Sequence, residues 1–170
     1  YEIEYSSLIN GIKNDQRIPI YESKYSLNYP FVQIQNSLGT KVVSKLLRKA
    51  AGTEDMMQYY NYYSAVNHLT GLGFLGFEGM AVSNWHSRYS ERLYTVSFYD
   101  PLKRGALTNS YVRRYSFQFN PLSSGVLSRS TYHYNSSLSS TKVFKNWLTS
   151  ETQENLIEGT EITSSYLYDS

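Results

Sequence analysis

Apolar and polar residues alternate along several short segments in the second half of the chain. Successive side chains of a β-strand point to opposite faces of the sheet, so alternation with period two indicates strands that bury one face. The pattern predicts antiparallel strands at 92–99, 111–119, 127–135, 142–148 and 162–169.

The first half reads as a further series of short strands, predicted at 1–8, 17–24, 30–35 and 56–64. The segment 41–49 is ambiguous, because its apolar residues also fit the three- and four-residue spacing of a helix. We predict a strand that runs into a turn, and we interpret its four basic residues as the lysine protection of an exposed sheet edge.

Turn sequences separate the predicted strands. Asn or Asp begins the turn, Pro fixes φ and Gly supplies positive φ in 100–105 and 120–125, and shorter polar turns are predicted at 135–137 and 158–159. Strands that recur in this way favour an antiparallel meander within an extended, coiled or barrel-like sheet. The predicted fold class is all-β.

Composition supports this fold class and narrows the function. Only 5 of 170 residues are Ala whereas 25 are Ser, and 18 of the apolar residues are Tyr, which disfavours a helical bundle. The net charge of +2 is too small for an electrostatic footprint on nucleic acid, and no apolar run is long enough to form a membrane-spanning helix. The chain has no cysteine, so thiolate chemistry is excluded.

Candidate catalytic residues are sparse. The histidines His68, His86 and His133 lie far apart in the sequence, without the spacing of a metal site. The residues 71–76 spell G-x-G-x-x-G, but they lie between predicted strands and open no helix, so a dinucleotide site is not expected. We therefore expect no catalytic residue, no metal and no cofactor.

Glycines crowd the segment 71–79, where four of nine residues lack a side chain. Glycine inside a strand marks a bulge, a sharp bend or the close approach of another layer. We predict that Gly71, Gly73 and Gly76 curve the strand, with the rings of Phe74 and Phe77 packed against a neighbouring layer.

The same segment resembles a known family. Tyr60-Asn61-Tyr62, His68 and the run from Gly71 to Phe77 resemble the Y-x-Y … H … G-R-G-F-L-G-F stretch of B-component proteins of insecticidal toxin complexes and related SpvB-like and RHS-type proteins. Leu72 stands where the family usually has Arg. The segments 3–8 and 29–31 resemble the family's I-x-Y-x-P-L and Y-P stretches, with Ser7 in place of Pro.

Two tyrosine pairs resemble the YD repeats of this family. They are Tyr132 and Tyr134, followed by Asn135, and Tyr166 and Tyr168, followed by Asp169. The resemblance identifies residues 1–90 as the region that leads into the shell and 91–170 as YD-like strand repeats. We expect the whole segment to belong to a larger protein.

The resemblance implies a fold and a role. Members of the family wind a sheet of YD repeats into a hollow shell that encloses a toxin or effector polypeptide in a secreted or cell-surface protein. The implied partners are the rest of the shell, the enclosed polypeptide and a secretion or translocation machinery. The family's self-cleavage is not carried over to Asp100, because 100–105 shares only Asp-Pro with the cleavage region.

A second function class stays open. Tyrosine-rich strands also bind carbohydrate by ring stacking, so a stand-alone surface adhesin or carbohydrate-binding β-domain is the alternative, with Tyr59 and Tyr62 as the positions to test. An enzyme is expected least.

Overall fold

The computed structural model describes residues 1–15, 17–24, 27–120, 122, 124–138 and 144–168. This part of the chain contains eleven β-strands, two single-turn 3₁₀ helices at Tyr89–Glu91 and Pro101–Lys103, and no α-helix. The strands are β1 Glu2–Ile9, β2 Tyr21–Glu22, β3 Phe31–Ile34, β4 Asn36–Arg48, β5 Met56–His68, β6 Gly73–Ser83, β7 Leu93–Asp100, β8 Ala106–Arg114, β9 Val126–Leu138, β10 Phe144–Asn155 and β11 Thr160–Ser165.

All eleven strands form one sheet, which confirms the predicted all-β class and antiparallel meander, although the short β2 pairs parallel with β5. From β4 to β11 each strand pairs antiparallel with the next along the chain, and β1 adds to the outer side of β4. The sheet is therefore a meander with edges at β1 and β11, and it does not close. The sheet is continuous across the boundary between residues 1–90 and 91–170, because β6 pairs with β7.

Strand β5 has two different partners along one side. Its first residues pair with β4, and its later residues pair with the two short strands β2 and β3. The change lies between Tyr59, the last residue that pairs with β4, and Tyr62, the first that pairs with β2. The Tyr62 hydroxyl still donates to the Val43 carbonyl oxygen of β4 at 2.9 Å.

Two clusters of buried side chains replace a conventional aliphatic core. One comprises Tyr59, Ala81, Tyr94, Val96, Tyr111 and Phe117. The other comprises Leu8, Ile20, Tyr21, Tyr62 and Ala65. Five of these eleven side chains are tyrosines, so aromatic rings supply much of the buried apolar area.

The predicted strand 111–119 is wrong in its second half. Strand β8 ends at Arg114, and Tyr115 has a φ of 66°, which turns the chain back over the sheet. Phe117 and Phe119 then pack onto the first cluster instead of continuing the ladder. Alternating apolar residues are typical of a strand, but they fit equally well a segment that lies over the sheet and packs its rings onto the buried cluster.

The predicted turn 135–137 is also wrong, because these residues lie inside β9. Of the predicted strand 17–24 only the two residues of β2 form a strand, and Pro19 makes an isolated bridge with Lys13. The strand predicted at 142–148 begins at Phe144 in the described part of the chain, and 162–169 is a strand only as far as Ser165.

The segment 41–49 is a strand, but it does not form a sheet edge. It belongs to β4, which has β1 on one side and β5 on the other. Its lysines make ion pairs instead: Lys45 contacts Glu4 at 3.1 Å and Asp15 at 3.2 Å. No helix in the described residues is long and apolar enough to cross a membrane.

Candidate functional site

The glycine-rich segment forms the start of β6 and contains a β-bulge. Gly73 and Gly76 have φ values of 68° and 112°, and the pairing with β5 shifts register between Val66 and Asn67. An extra residue on β6 explains both observations. Gly71, with a φ of 113°, precedes the strand in the turn.

Another layer does approach the strand closely, but at a different glycine. A Cβ atom on Gly71, Gly73 or Gly76 would meet open space, whereas one on Gly79 would lie 3.0 Å from the Phe119 ring. Phe77 packs on Tyr62, with ring centroids 4.7 Å apart. The Phe74 ring remains 52% exposed and contacts the Phe77 ring in a T-shaped arrangement, with centroids 5.5 Å apart.

Beside the bulge, β5 and β6 share a polar cluster. Ser64, which is fully buried, donates to the Glu78 carboxylate and accepts from the Gln33 amide, and Gln33 Nε2 also donates to Glu78 Oε2 at 3.2 Å. A serine nucleophile needs a base that removes its proton and a path for the substrate. The burial of Ser64 and the hydrogen bonds of this cluster indicate a structural role.

The histidines lie in three different environments. His86 is buried, and its Nδ1 lies 2.9 Å from the Asn84 carbonyl oxygen. His68 meets the edge of Phe31, and His133 is exposed on β9. Among the described residues, no three His, Asp or Glu side chains come together in a way that could hold a metal ion.

The tyrosines predicted for carbohydrate stacking are not accessible. Tyr59 is fully buried and Tyr62 is 8% exposed. The Tyr59 hydroxyl donates to Asp15, and Tyr62 reaches Val43. These two rings therefore cannot form a stacking platform.

The structure instead brings the YD-like tyrosines together at the other end of the sheet. Tyr132 on β9 lies opposite Glu151 on β10, and the Tyr166 hydroxyl donates to Glu151 Oε2 at 3.4 Å. Gln153 Nε2 donates to the other oxygen, Oε1, at 2.7 Å. Tyr134 lies on the same side of β9 as Tyr132 by strand parity, and Tyr168, beyond the end of β11, is close enough to Tyr134 and Tyr166 to raise their pKa. We call Tyr132, Tyr134, Glu151, Tyr166 and Tyr168 the tyrosine face; Asp169 lies outside the described residues.

The rings of the tyrosine face are open to solvent to different degrees. Tyr166 is 39% exposed and Tyr168 is 58% exposed, whereas Tyr132 and Tyr134 are half-buried. Burial raises the pKa of Tyr134, and the neighbouring Tyr132 and Glu151 raise it further. The pKa of Tyr166 is raised by partial loss of water and then by Glu151. Both rings are therefore neutral at pH 7, and Glu151 supplies the negative charge.

Basic side chains of β9 and β10 lie on the opposite side of the sheet. Arg129 pairs in register with Glu154, and its Nε lies 2.6 Å from Glu154 Oε2. Lys145 lies opposite Ser137, which is also on the far side from Tyr132 by parity. From 146 to 168 the sequence has no Lys or Arg, and Glu151 is the acidic residue of this segment that lies on the tyrosine face. Its carboxylate therefore gives that face its negative charge.

No family model, curated protein or solved structure matches this chain. The resemblance to RHS-type and toxin-complex B proteins therefore stays a prediction. The physical findings are an open antiparallel meander and a tyrosine face around one carboxylate.

Proposed function

We propose that the chain is a non-enzymatic structural segment of an RHS-type shell that encloses a toxin or effector polypeptide in a secreted or cell-surface protein. The observation that carries the proposal is the open edge at β11. All six residues of this strand are exposed, and in the described part of the chain it pairs only with β10. Such an edge is a template for a further strand.

The order of the strands supports the same proposal. From β4 onward each strand pairs with its successor, so the sheet extends by simple addition of hairpins. Its packing is also unusual for a separate domain, because the buried clusters are formed by β1, β2, β5 to β8 and the segments next to them, with no member from β10 or β11 among the described residues. A shell wall that grows by the addition of hairpins would have the same sequential pairing and the same lack of buried residues at its growing end. The other proposed partners are the rest of the shell and a secretion or translocation machinery.

Hydrogen exchange tests whether β11 is covered in the parent protein. We expect peptides that span 160–165 to exchange more slowly in the parent protein than in the 170-residue chain, because a following strand would bond to their free amides. The turn at 51–53 is the internal control and should exchange equally in both. Equal exchange of 160–165 in the two proteins would contradict the proposal.

Sedimentation of the isolated chain provides a second test. Its free edges at β1 and β11 should make it self-associate. A lysine at Ile162, which is 67% exposed on β11, should reduce the association, whereas a lysine at Leu38 in β4 should not. A monodisperse wild-type monomer that unfolds cooperatively counts against the shell.

Enclosure is tested by proteolysis of the parent protein. The enclosed polypeptide should resist a protease as long as the shell is intact and become sensitive when the shell is opened by denaturant. Cleavage at equal rates in both conditions would refute enclosure.

A stand-alone adhesin that binds carbohydrate is the second candidate. The observation that favours it is the tyrosine face, where four rings on one side of a sheet surround a carboxylate and an amide. The exchange experiment separates the two candidates, because an adhesin domain requires no added strand at β11.

A further inference from the structure

We propose that the tyrosine face binds the guanidinium group of an arginine side chain in an extended polypeptide, whose backbone lies in the adjoining groove between β8 and β11. The inference depends only on the geometry of this face. It holds whether or not the chain belongs to a shell.

Charge complementarity is the first argument for a cation. Glu151 is only partly exposed, and no basic side chain pairs with it among the described residues. Within the described part of the chain its hydrogen bonds come from the neutral groups of Gln153 and Tyr166, so no cation there compensates its negative charge. A half-buried carboxylate in this position attracts a cationic group.

The tyrosine rings argue for a planar organic cation. Tyr132 lies directly across from Glu151, and Tyr166 reaches it from the other side. The face of an aromatic ring attracts a cation, and a guanidinium group stacks on such a ring while it donates to a carboxylate. Each Glu151 oxygen has already accepted one hydrogen bond and retains a lone pair, so both can accept from one arginine.

The groove next to the tyrosine face is the reason why we propose an arginine within a polypeptide and not a free cation. It has a volume of about 580 Å³, and its lining combines hydroxyl and amide residues with four aliphatic residues and with Arg129 and Glu154, whose side chains pair with each other. Gln153 connects the groove to the tyrosine face, because it lines the groove and its Nε2 donates to Glu151. The hydroxyl and amide groups can hydrogen-bond to an extended backbone, and the aliphatic residues can pack against its side chains. A free small cation would need no such groove.

The binding test uses a fluorescent Gly-Ser-Arg-Ser-Gly peptide and the same peptide with citrulline in place of arginine. Citrulline keeps the shape and removes the charge. The chain has no cysteine, so a Thr53→Cys variant can be attached to a sensor surface at one point, which keeps the molecules apart. We expect the arginine peptide to bind at least about fivefold more tightly than the citrulline peptide. Equal binding of the two peptides would overturn the proposal.

Matched variants locate the site. Glu151→Gln should weaken arginine binding by about fivefold, whereas Glu161→Gln, on the opposite side of β11, should leave it unchanged. Tyr132→Leu should weaken it by about threefold and Tyr5→Leu, on the far edge strand, should not. Equal effects of the two glutamate variants would show general charge attraction and refute the site.

A carbohydrate is the competing occupant of the same rings. Cellotetraose and chitotetraose should neither bind to the surface nor displace the arginine peptide. Displacement by either saccharide, or loss of saccharide binding in Tyr132→Leu, would replace the arginine proposal by a glycan site. The wild-type comparison of arginine with citrulline decides the question even if a variant fails to fold.

Discussion

At the scale of single residues, Ser64 combines a left-handed backbone with buried hydrogen bonds. A non-glycine residue with a φ of 54° inside a strand is strained, and its side chain is held by Glu78 and Gln33. These hydrogen bonds therefore hold the backbone in its strained conformation. Substitutions at Ser64 separate the cost of the strain from the stabilisation by the hydrogen bonds.

We predict that Ser64→Ala lowers the free energy of unfolding by about 2 kcal/mol, because it removes a donor from the Glu78 carboxylate and keeps the backbone strain. Ser64→Gly also loses the hydrogen bonds but relieves the strain, so it should be more stable than Ser64→Ala by about 1 kcal/mol. Urea unfolding measures both. At Ser110, where φ is negative, the order of Ala and Gly should reverse.

Arg92 is the other unusual residue, because its side chain is 1% exposed and has no carboxylate partner among the described residues. Its guanidinium carbon lies 4.3 Å from the Tyr89 ring centroid, 5.3 Å from Tyr94 and 5.9 Å from Tyr59. The Nε atom donates to the Tyr115 carbonyl oxygen at 2.8 Å, whereas Nη1 and Nη2 are buried and find no hydrogen-bond partner among the residues that the structure describes. The aromatic rings therefore stabilise the charge.

We predict that Arg92→Lys destabilises the protein more than Arg92→Met does. An ammonium group is more strongly hydrated than a guanidinium and stacks less well, so its burial should cost about 2 kcal/mol or more. Methionine removes the charge and still contacts the rings through its sulfur. Thermal and urea unfolding of both variants check the order. A methionine variant less stable than the lysine variant would mean that the positive charge itself stabilises the fold.

At the scale of elements, the segment after β8 packs closely on β6 because Gly79 has no side chain. A Cβ atom on Gly79 would lie 3.0 Å from Phe119 and 3.1 Å from the Cβ atom of Tyr63. The Phe119 and Tyr63 rings stack with centroids 5.0 Å apart, so neither can move without disturbing the other.

We predict that Gly79→Ala destabilises the protein by about 1–3 kcal/mol, because the added methyl group displaces the stacked rings. Gly39→Ala in β4 is the matched control. Its Cβ atom would meet no neighbour within 4 Å and its φ is not positive, so it should be neutral or slightly stabilising. Denaturant unfolding with near-ultraviolet circular dichroism reports on both stability and ring packing. Equal stability of the two variants would contradict the close contact.

At the scale of the whole molecule, the buried tyrosines connect folding to alkaline pH. Burial raises the pKa of Tyr62 to about 12 and that of Tyr94 to about 12. In the unfolded chain both titrate near 10. Since the folded pKa is the higher one, their contribution to stability is full below pH 10 and is lost as the pH rises toward 12.

We predict that the free energy of unfolding falls between about pH 10 and pH 12 by on the order of 2–3 kcal/mol for each ring. Tyr94→Phe should flatten this loss. At pH 7 the substitution should leave stability nearly unchanged, because the Tyr94 hydroxyl is buried and has no hydrogen-bond partner within the described part of the chain. Urea unfolding across the pH series measures the slope. An unchanged slope in Tyr94→Phe would contradict the assignment.

The sequence by itself determined the fold class and most of the strands. Alternation follows from the pleat of a single strand, so it identified β7 and β9 and placed Tyr132 and Tyr134 on one face. Glycine spacing pointed to a bulge, a bend or a close approach for a similarly local reason, since positive φ depends on the residue itself, and the structure has the bulge.

Only the tertiary structure decided which rings are buried and which are open. Tyr59 and Tyr132 look alike in sequence, but the first is fully buried and the second is only half-buried, opposite Glu151. The segment after Tyr115 turned back over the sheet, and β4 took an interior position because β1 returned to pair with it. These outcomes depend on contacts between residues far apart in the chain, and a period of two along one strand carries no information about them.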